Sequence, residues 1–595
     1  MATALVAGLL LVRTSLPASP GECEASDAVP TYRTPSHVCA SPDGLFAYAV
    51  NTGSGSVSVL DVRTRKVVAE IAVDLAPVTA AISADGRTLY VACRYAHAVD
   101  VVDLPARRVV RSIATGLEPY GVALSRDGRT LYVANSLSDT LSILDVASGG
   151  ARAEVPVGRE PRFVVETPDG QRVVVGNALG RSVTIVEVAS GRVLETRALG
   201  RASLLRQTAI SADGRWAFVA HVLSHDEVMA LQIERGWIHS NGFSLLDLSR
   251  PGQRVTLLLD RLLAGAANPW GAALSRDGTK LYVSLAGVHE IAIVDVPAAL
   301  RLVEAVGPED VKPIEENVEI LERLGIARRT SAGGIGPRGI AVSWATGEIL
   351  VPNAFSDTVT VLDGERGEVR ATIALGAPQE MTEWRKGEML FNDARIAYQS
   401  WFSCASCHEE DATVDGLNWD LSNDGLGNPK NVKSLHDVHD TPPAMWTRVR
   451  EEMDAAVAAG QRFLGLFPVS ENHRALMAFL GAPPRAPNPF RGRDPVAEKR
   501  GEGVFAKAGC PLCHPAPLFT DLLEHDVGFG GDDLHAEFDT PSLRECYRTA
   551  PYLHDGRART LEDTYMSHNP EERHGLTKGL SEEELSDLVT YLRTL

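Results

Sequence analysis

Positive charge is in short supply: 58 Lys and Arg stand against 77 Asp and Glu in 595 residues, a formal net charge of -19. Nucleic acid as a partner is therefore not expected, because phosphates call for a basic surface, whereas a basic protein partner suits the balance. Beyond the N-terminus no apolar run is long enough to cross a bilayer, so no membrane span is expected in the mature chain. The opening run MATALVAGLLLV is itself too short and has no Lys or Arg before it, yet Ala18 and Ser19 precede the polar Gly21-Glu22-Cys23. Residues 1–28 read as a signal-like segment, which predicts an exported, periplasmic protein. Glu22 directly before Cys23 argues against a lipid anchor there. Cysteine is sparse at 8 residues. Four of these fall in two motifs, leaving Cys23, Cys39, Cys93 and Cys546, of which the first two could pair in an exported chain.

A repeat dominates the first two thirds. Ser/Thr-x-Asp-Gly occurs at Ser41 to Gly44, Ser83 to Gly86, Ser125 to Gly128 and Thr167 to Gly170, and again at Ser211 and Ser275, with a degraded copy near Ser343. Each copy precedes a β-rich segment and then an alternating strand ending in an acid: Asp61, Asp103, Asp145, Glu187, Asp247, Asp295 and Asp363. Seven copies predict seven four-stranded blades packed radially, since one such unit cannot bury both faces. Residues 30–380 resemble the YVTN family of β-propellers, which implies that fold and a docking role. Two insertions interrupt the repeat, at 221–242 and at 299–338, the latter with a helix predicted over IEENVEILERLGI. His221, His225 and His239 in the first insertion read as surface loop residues, with a metal site as the alternative.

The decisive chemistry is Cys404-Ala405-Ser406-Cys407-His408 and Cys510-Pro511-Leu512-Cys513-His514. Cys-x-x-Cys-His sets two thiols one helical turn apart to add across the vinyl groups of a haem, and the next residue offers an imidazole to the iron. Two such motifs predict two covalently bound haem c groups, with Cys404, Cys407, Cys510 and Cys513 as attachment residues and His408 and His514 as iron ligands. A thioredoxin-like pair would need a βαβ context, and a zinc site a fourth ligand.

The motifs sit in a duplication: Lys386-Gly387-Glu388 before the first matches Arg500-Gly501-Glu502 before the second, and Ser434-Leu435 matches Ser542-Leu543. Two mainly α-helical cytochrome c-type domains are predicted, 385–484 and 485–595. The fold class is therefore multidomain, an all-β seven-bladed propeller followed by two helical domains. Both motifs and the segment TPSLRECYRTAPYLHDGRARTLED resemble the di-haem cytochrome c peroxidase superfamily, including MauG-type enzymes. That resemblance implies one haem closed by a distal ligand and one open to small molecules. Counting from Thr560 as the family does reaches His568, with Met566 and His574 on the same loop; His568 and His574 are the candidate distal ligands of the second haem. Gly460 aligns with His568 in the first domain, leaving that haem five-coordinate or capped by Met445, His436 or His439. Trp446 aligns with the family's tryptophan between the haems. The family's distal Gln and Glu fall on Ala456 and near Leu466 here, with Gln461 and Glu471 the nearest candidates.

The resemblance implies an exported peroxidase-like haem oxidoreductase acting on peroxide or another small substrate, with a redox partner such as a small basic cytochrome or a cupredoxin. A non-catalytic electron carrier and a redox-sensing surface module are the two other classes the motifs allow.

Overall fold

Each repeated turn closes on its own side chains. Ser41 Oγ donates to Asp43 Oδ1 at 2.5 Å, Leu45 N donates to the same oxygen at 3.0 Å, and Gly44 takes the left-handed position at φ +71°. The turn fixes the register of the hairpin that follows. In the first blade the strands Pro35–Ala40, Phe46–Asn51, Ser56–Asp61 and Lys66–Ala72 are neighbours in that order. The inner strands are buried on both faces, while the outermost alternates and meets solvent. Seven such sheets follow one another along the chain, the fifth with an extra short strand. The computed structural model describes residues 32–595 apart from 228–237, 307–310, 410, 422–426, 466–468, 531–532 and 534. The signal-like segment and Cys23 lie outside the described residues.

Every blade is built from contiguous sequence, so the ring closes by packing rather than by exchange of a strand. Val38 and Leu60 of the first blade share an apolar cluster with Leu350 and Val361 of the seventh. Gly339 N donates to Ser36 O at 3.0 Å, and Thr34 N to Asp357 Oδ1 at 2.8 Å, across the same seam. Cys39 is buried in the first blade, where its thiol donates to Ala80 O at 3.2 Å.

The insertions depart from the sequence reading. Blade five extends its hairpin into two nine-residue strands, Trp216–Ser224 and His239–Asp247. His221, His225 and His239 are consequently buried, not surface loop residues. Each meets a different partner: His221 Ser244, His225 Arg201, His239 Ser224. They form no metal-binding group among the described residues. In blade six the single helix predicted over residues 314–326 is two short pieces, α2 (Val311–Glu315) and α3 (Ile320–Arg323), and an unpredicted helix, α1 (Val296–Ala305), precedes them.

The C-terminal part is mainly helical: α4 (Glu383–Asn392), α5 (Met453–Phe463), α6 (Ser470–Leu480), α7 (Pro495–Lys507), α8 (Leu561–Met566) and α9 (Glu582–Arg593). The duplication is visible in its crossings. α4 packs on α6 through Gly387, where a Cβ would collide with Ala475 O, and α7 packs on α9 through Gly501, where it would collide with Asp587 O. The loops repeat as well, with isolated bridges Ala444 to Arg450 and Tyr552 to Ala558. Residues 32–595 pack as one unit.

Candidate functional site

The two motifs face one continuous cavity. Cys404, Cys407 and His408 line it on one side and Cys510, Cys513 and His514 on the other, with Trp446 also in its wall. Both motifs begin as a turn of 3-10 helix, Cys404–Ser406 and Cys510–Leu512, which is what puts each cysteine pair on one side of the backbone. All four thiols are free of disulfides. Burial pushes Cys404 up to about 12 and Cys510 to about 11, so the thiols are neutral in an apolar wall.

At the second motif, His514 donates from Nδ1 to Phe519 O at 2.9 Å, which leaves its Nε2 as the lone-pair nitrogen. His574 stands opposite, the two ring centres 6.3 Å apart. An imidazole centre lies about 1.1 Å from its nitrogen and a metal–nitrogen bond is about 2.0 Å, so a metal ion held by both rings spans roughly that distance. His574 Nδ1 is buried with no hydrogen-bond partner among the described residues, and burial pushes the ring down to about 4, keeping it neutral as a ligand requires. Tyr565 lies nearly parallel to it at 6.1 Å and Phe529 meets it edge-on at 5.3 Å. Asn569 organises the loop that carries it: Nδ2 donates to His574 O and Gly575 O, and His574 N donates back to Asn569 Oδ1 at 3.0 Å. His568 and Met566 are not in the cavity wall; His568 follows α8 and Met566 is exposed.

The first motif has no such imidazole opposite it among the described residues. Gly460 lines the cavity with open space beyond its Cα. His436 has both ring nitrogens engaged, Nδ1 with Glu545 and Nε2 with Asp411 O at 2.8 Å, so it has no lone pair to offer. His439 pairs with Asp440 outside the wall, while Met445 remains in it. Gln461 is buried and lines the cavity, its Oε1 facing His473 Nδ1 at 2.9 Å. Glu471 instead points outward and pairs with Lys386 at 2.7 Å, which removes it as a group acting in the cavity. Trp446 Nε1 donates to Asn431 O at 2.7 Å and Lys433 stands over its ring at 5.1 Å, fixing the indole in the cavity wall.

The motifs differ most in what covers them. Asn268 of the propeller donates to Ser403 Oγ at 2.9 Å and accepts from Ser406 Oγ at 2.8 Å. Asn241 Nδ2 donates to Trp401 O at 3.0 Å, and Gly265 lies so close to Trp401 that a Cβ would strike the backbone. Beyond the histidine, Arg162 of blade four pairs with Glu409, both buried. Arg94 and Glu118 of the propeller join Asp411 and Arg548 in a second ionic cluster, with Arg548–Glu118 at 2.6 Å and Arg94–Glu118 at 2.8 Å. Against the cost of burial, Arg94 and Arg548 hold Asp411 and Glu118 below the usual carboxylate range. The second motif is uncovered: Leu512 within it is 82% exposed, and Leu576, whose N donates to Ala508 O, is 61% exposed.

The Cytochrome D1 heme domain matches residues 40–241. Hydrazine synthase subunit gamma of Kuenenia stuttgartiensis is 32% identical over 351 residues, covering 49% of this chain and 98% of that protein. The methylamine utilization protein MauG of Methylophilus methylotrophus is 26% identical over 283 residues, covering 37% of this chain and 84% of that protein. Among solved structures, a chain of Kuenenia stuttgartiensis hydrazine synthase superposes with a TM-score of 0.55 at 28% identity, covering 58% of this chain and 99% of that one. The donor set of the cavity, two Cys-x-x-Cys-His motifs and an opposed pair of imidazoles, fits haem. The chain belongs to the family of haem oxidoreductases that takes in MauG, the cytochrome c peroxidases and hydrazine synthase subunit gamma, and it carries a seven-bladed β-propeller ahead of that part.

Proposed function

We propose that the protein is an exported di-haem c-type oxidoreductase with unequal haems. One haem is attached at Cys404 and Cys407 with His408 as its iron ligand, the other at Cys510 and Cys513 with His514 and His574 as ligands. Bound there, haem would supply one-electron chemistry; His514 and His574 would hold the second haem as a relay, while the first, with His408 and no opposed imidazole among the described residues, would be left able to take a small molecule. The observation that carries this reading is the 6.3 Å separation of His514 and His574, set against Gly460 and the engaged nitrogens of His436. The chain's own residues have defined tasks. Asn569, Tyr565 and Phe529 hold His574 across from His514. Gln461 presents an amide at the cavity wall. Trp446 bridges the two sites with a fixed indole, and the propeller excludes water from the first motif. Electrons enter at the second motif, whose Leu512 and Leu576 suit docking by a small redox protein, with the acidic net charge favouring a basic one.

Electron paramagnetic resonance of the full chain tests the reading. One low-spin and one high-spin ferric haem are expected, and His574→Ala should convert the low-spin signal while His568→Ala leaves it. Two low-spin haems, or conversion by His568→Ala alone, would overturn it. The substrate has two readings. Peroxide follows from the MauG and peroxidase relatives. A small nitrogen compound follows from the higher identity, 32%, to a hydrazine synthase subunit. Assays of peroxide consumption and of hydrazine formation on the purified protein separate the two.

A further inference from the structure

The long hairpin of blade five exists to reach the first motif. Its strands run three residues past those of the other full-length blades, and the second begins at His239. His239 is fully buried, with Phe402 at 5.8 Å and Trp419 at 5.0 Å between ring centres. Its Nε2 lies 3.3 Å from Cys407 Sγ. On its other side Nδ1 lies 3.2 Å from Ser224 Oγ, which in turn lies 2.6 Å from Ser203 Oγ. Trp419 is itself anchored, donating from Nε1 to Asp415 Oδ2 at 2.9 Å. Ring, indole and hydroxyls thus form a built site around one sulfur. The sulfurs of the second motif have no equivalent bond: among the described residues no side chain makes a hydrogen bond to Cys510 or Cys513, and His525, which lies near Cys513, has its Nε2 on Asp521 Oδ2 at 2.7 Å instead.

We propose that His239 tunes the first haem by donating a hydrogen bond to the Cys407 sulfur, which makes the propeller an electronic component of that haem and not only its cover. Once the sulfur is a thioether it can only accept, so Nε2 carries the proton. Nδ1 then accepts from the Ser224 hydroxyl, which accepts from Ser203. The direction of every bond in the chain is set by that one acceptor. Burial pushes His239 down to about 3, consistent with a neutral ring of fixed tautomer. A donor at the thioether draws electron density from the haem edge and favours the ferrous state, one of the levers by which a protein sets haem potential.

The test uses the full chain with both haems attached, confirmed by the mass of the haem-bearing peptides. It depends on covalent attachment at Cys407 and not on whether the first haem has a free face, which the spin-state experiment decides separately. Spectroelectrochemical titration reads the two midpoint potentials. His239→Leu, which keeps the bulk and removes the donor, should shift the ferric/ferrous equilibrium of the first haem toward ferric by about two- to fivefold, the worth of one weak hydrogen bond. The second haem should not move. His239→Gln, which retains an N–H, should restore most of the shift. Ser224→Ala, which frees the tautomer without touching the packing on Phe402 and Trp419, gives an intermediate shift and keeps the idea testable if His239→Leu fails to mature. An unmoved first-haem potential in His239→Leu or Ser224→Ala, or equal movement of both haems, overturns the proposal. A shift that His239→Gln leaves unrestored would assign the effect to packing and likewise overturn it.

Discussion

Arg162→Leu is expected to loosen the propeller from the first motif, at a cost that depends on pH. Arg162 and Glu409 have side chains 2% and 3% exposed, and Glu409 directly follows His408. Removing one member of a buried pair typically costs about 3–5 kcal/mol, because the remaining charge has neither water nor partner. Glu409 has a second course, to take up a proton. Burial already raises its carboxyl to about 7 against the pull of Arg162, so without the arginine it rises further. A carboxyl whose folded pKa is raised destabilises the fold above that pKa, and the penalty is relieved as the pH falls through it, by about 1.4 kcal/mol per unit. The loss should therefore be greater near pH ~8 than near pH ~6. Urea unfolding of the full chain, followed by tryptophan fluorescence at the two pH values, measures it. Arg162→Leu with Glu409→Leu should recover much of the loss, since an apolar pair of similar size often replaces a buried ion pair at little cost and Glu160, the arginine's other partner, is 20% exposed to water. A single-variant cost under about 1 kcal/mol at both pH values, or a double variant no more stable than the single, would refute the reasoning.

Three further outcomes are expected. Glu118 and Asp411 have depressed carboxyl pKa values, so the stability they contribute is complete above the ordinary carboxylate range and lost as the pH falls below it; limited proteolysis should first cleave between propeller and helices at acid pH, and Glu118→Gln should bring that cleavage to neutral pH. Gly501→Ala should destabilise the second helical pair by several kcal/mol because its Cβ meets the Asp587 carbonyl, whereas Gly503→Ala, with nothing near its Cβ, should be neutral or gain up to about 1 kcal/mol, as thermal unfolding will measure. Gln461→Leu should weaken fluoride binding to the first haem by about tenfold, read from its charge-transfer band, while Glu471→Ala leaves it unchanged because that side chain faces Lys386 at the surface.

The propeller was legible because its turns are local: Asp43 and Gly44 act on neighbours within a few residues, and the pattern recurs in register. The two motifs were legible for the same reason. What the sequence hid is set by distance along the chain. His239 lies 168 residues from Cys407, and its meeting with that sulfur depends on two strands each being extended by three residues. Reading those residues as a loop followed from the broken repeat, and His239-Ser240-Asn241-Gly242 carries no apolar alternation that would mark a strand. Counting forward from Thr560 reached His568 and left His574 as its rival on the same loop; α8 stops at Met566 and the chain turns at Asn569-Pro570, and of the two it is His574 whose ring faces His514. Asn569 was the available signal, an asparagine before proline at the head of a tight loop. Arg162, Glu118 and Arg548 had none, since a buried ion pair between distant segments leaves no periodic trace. Gln461 was named, but its tie to His473 needed α5 and α6 to cross.

The covering of the first motif also bears on how the chain is completed. Ser406 is 2% exposed beneath Asn268 and Trp401 is pressed on Gly265, so the propeller holds the backbone on either side of Cys404. Haem joined to the Cys404 and Cys407 thiols, as proposed above, would be held against the propeller, whereas Leu512 leaves the second loop exposed to solvent. Loading of the first site would thus be coupled to the packing of the propeller, and loading of the second would not.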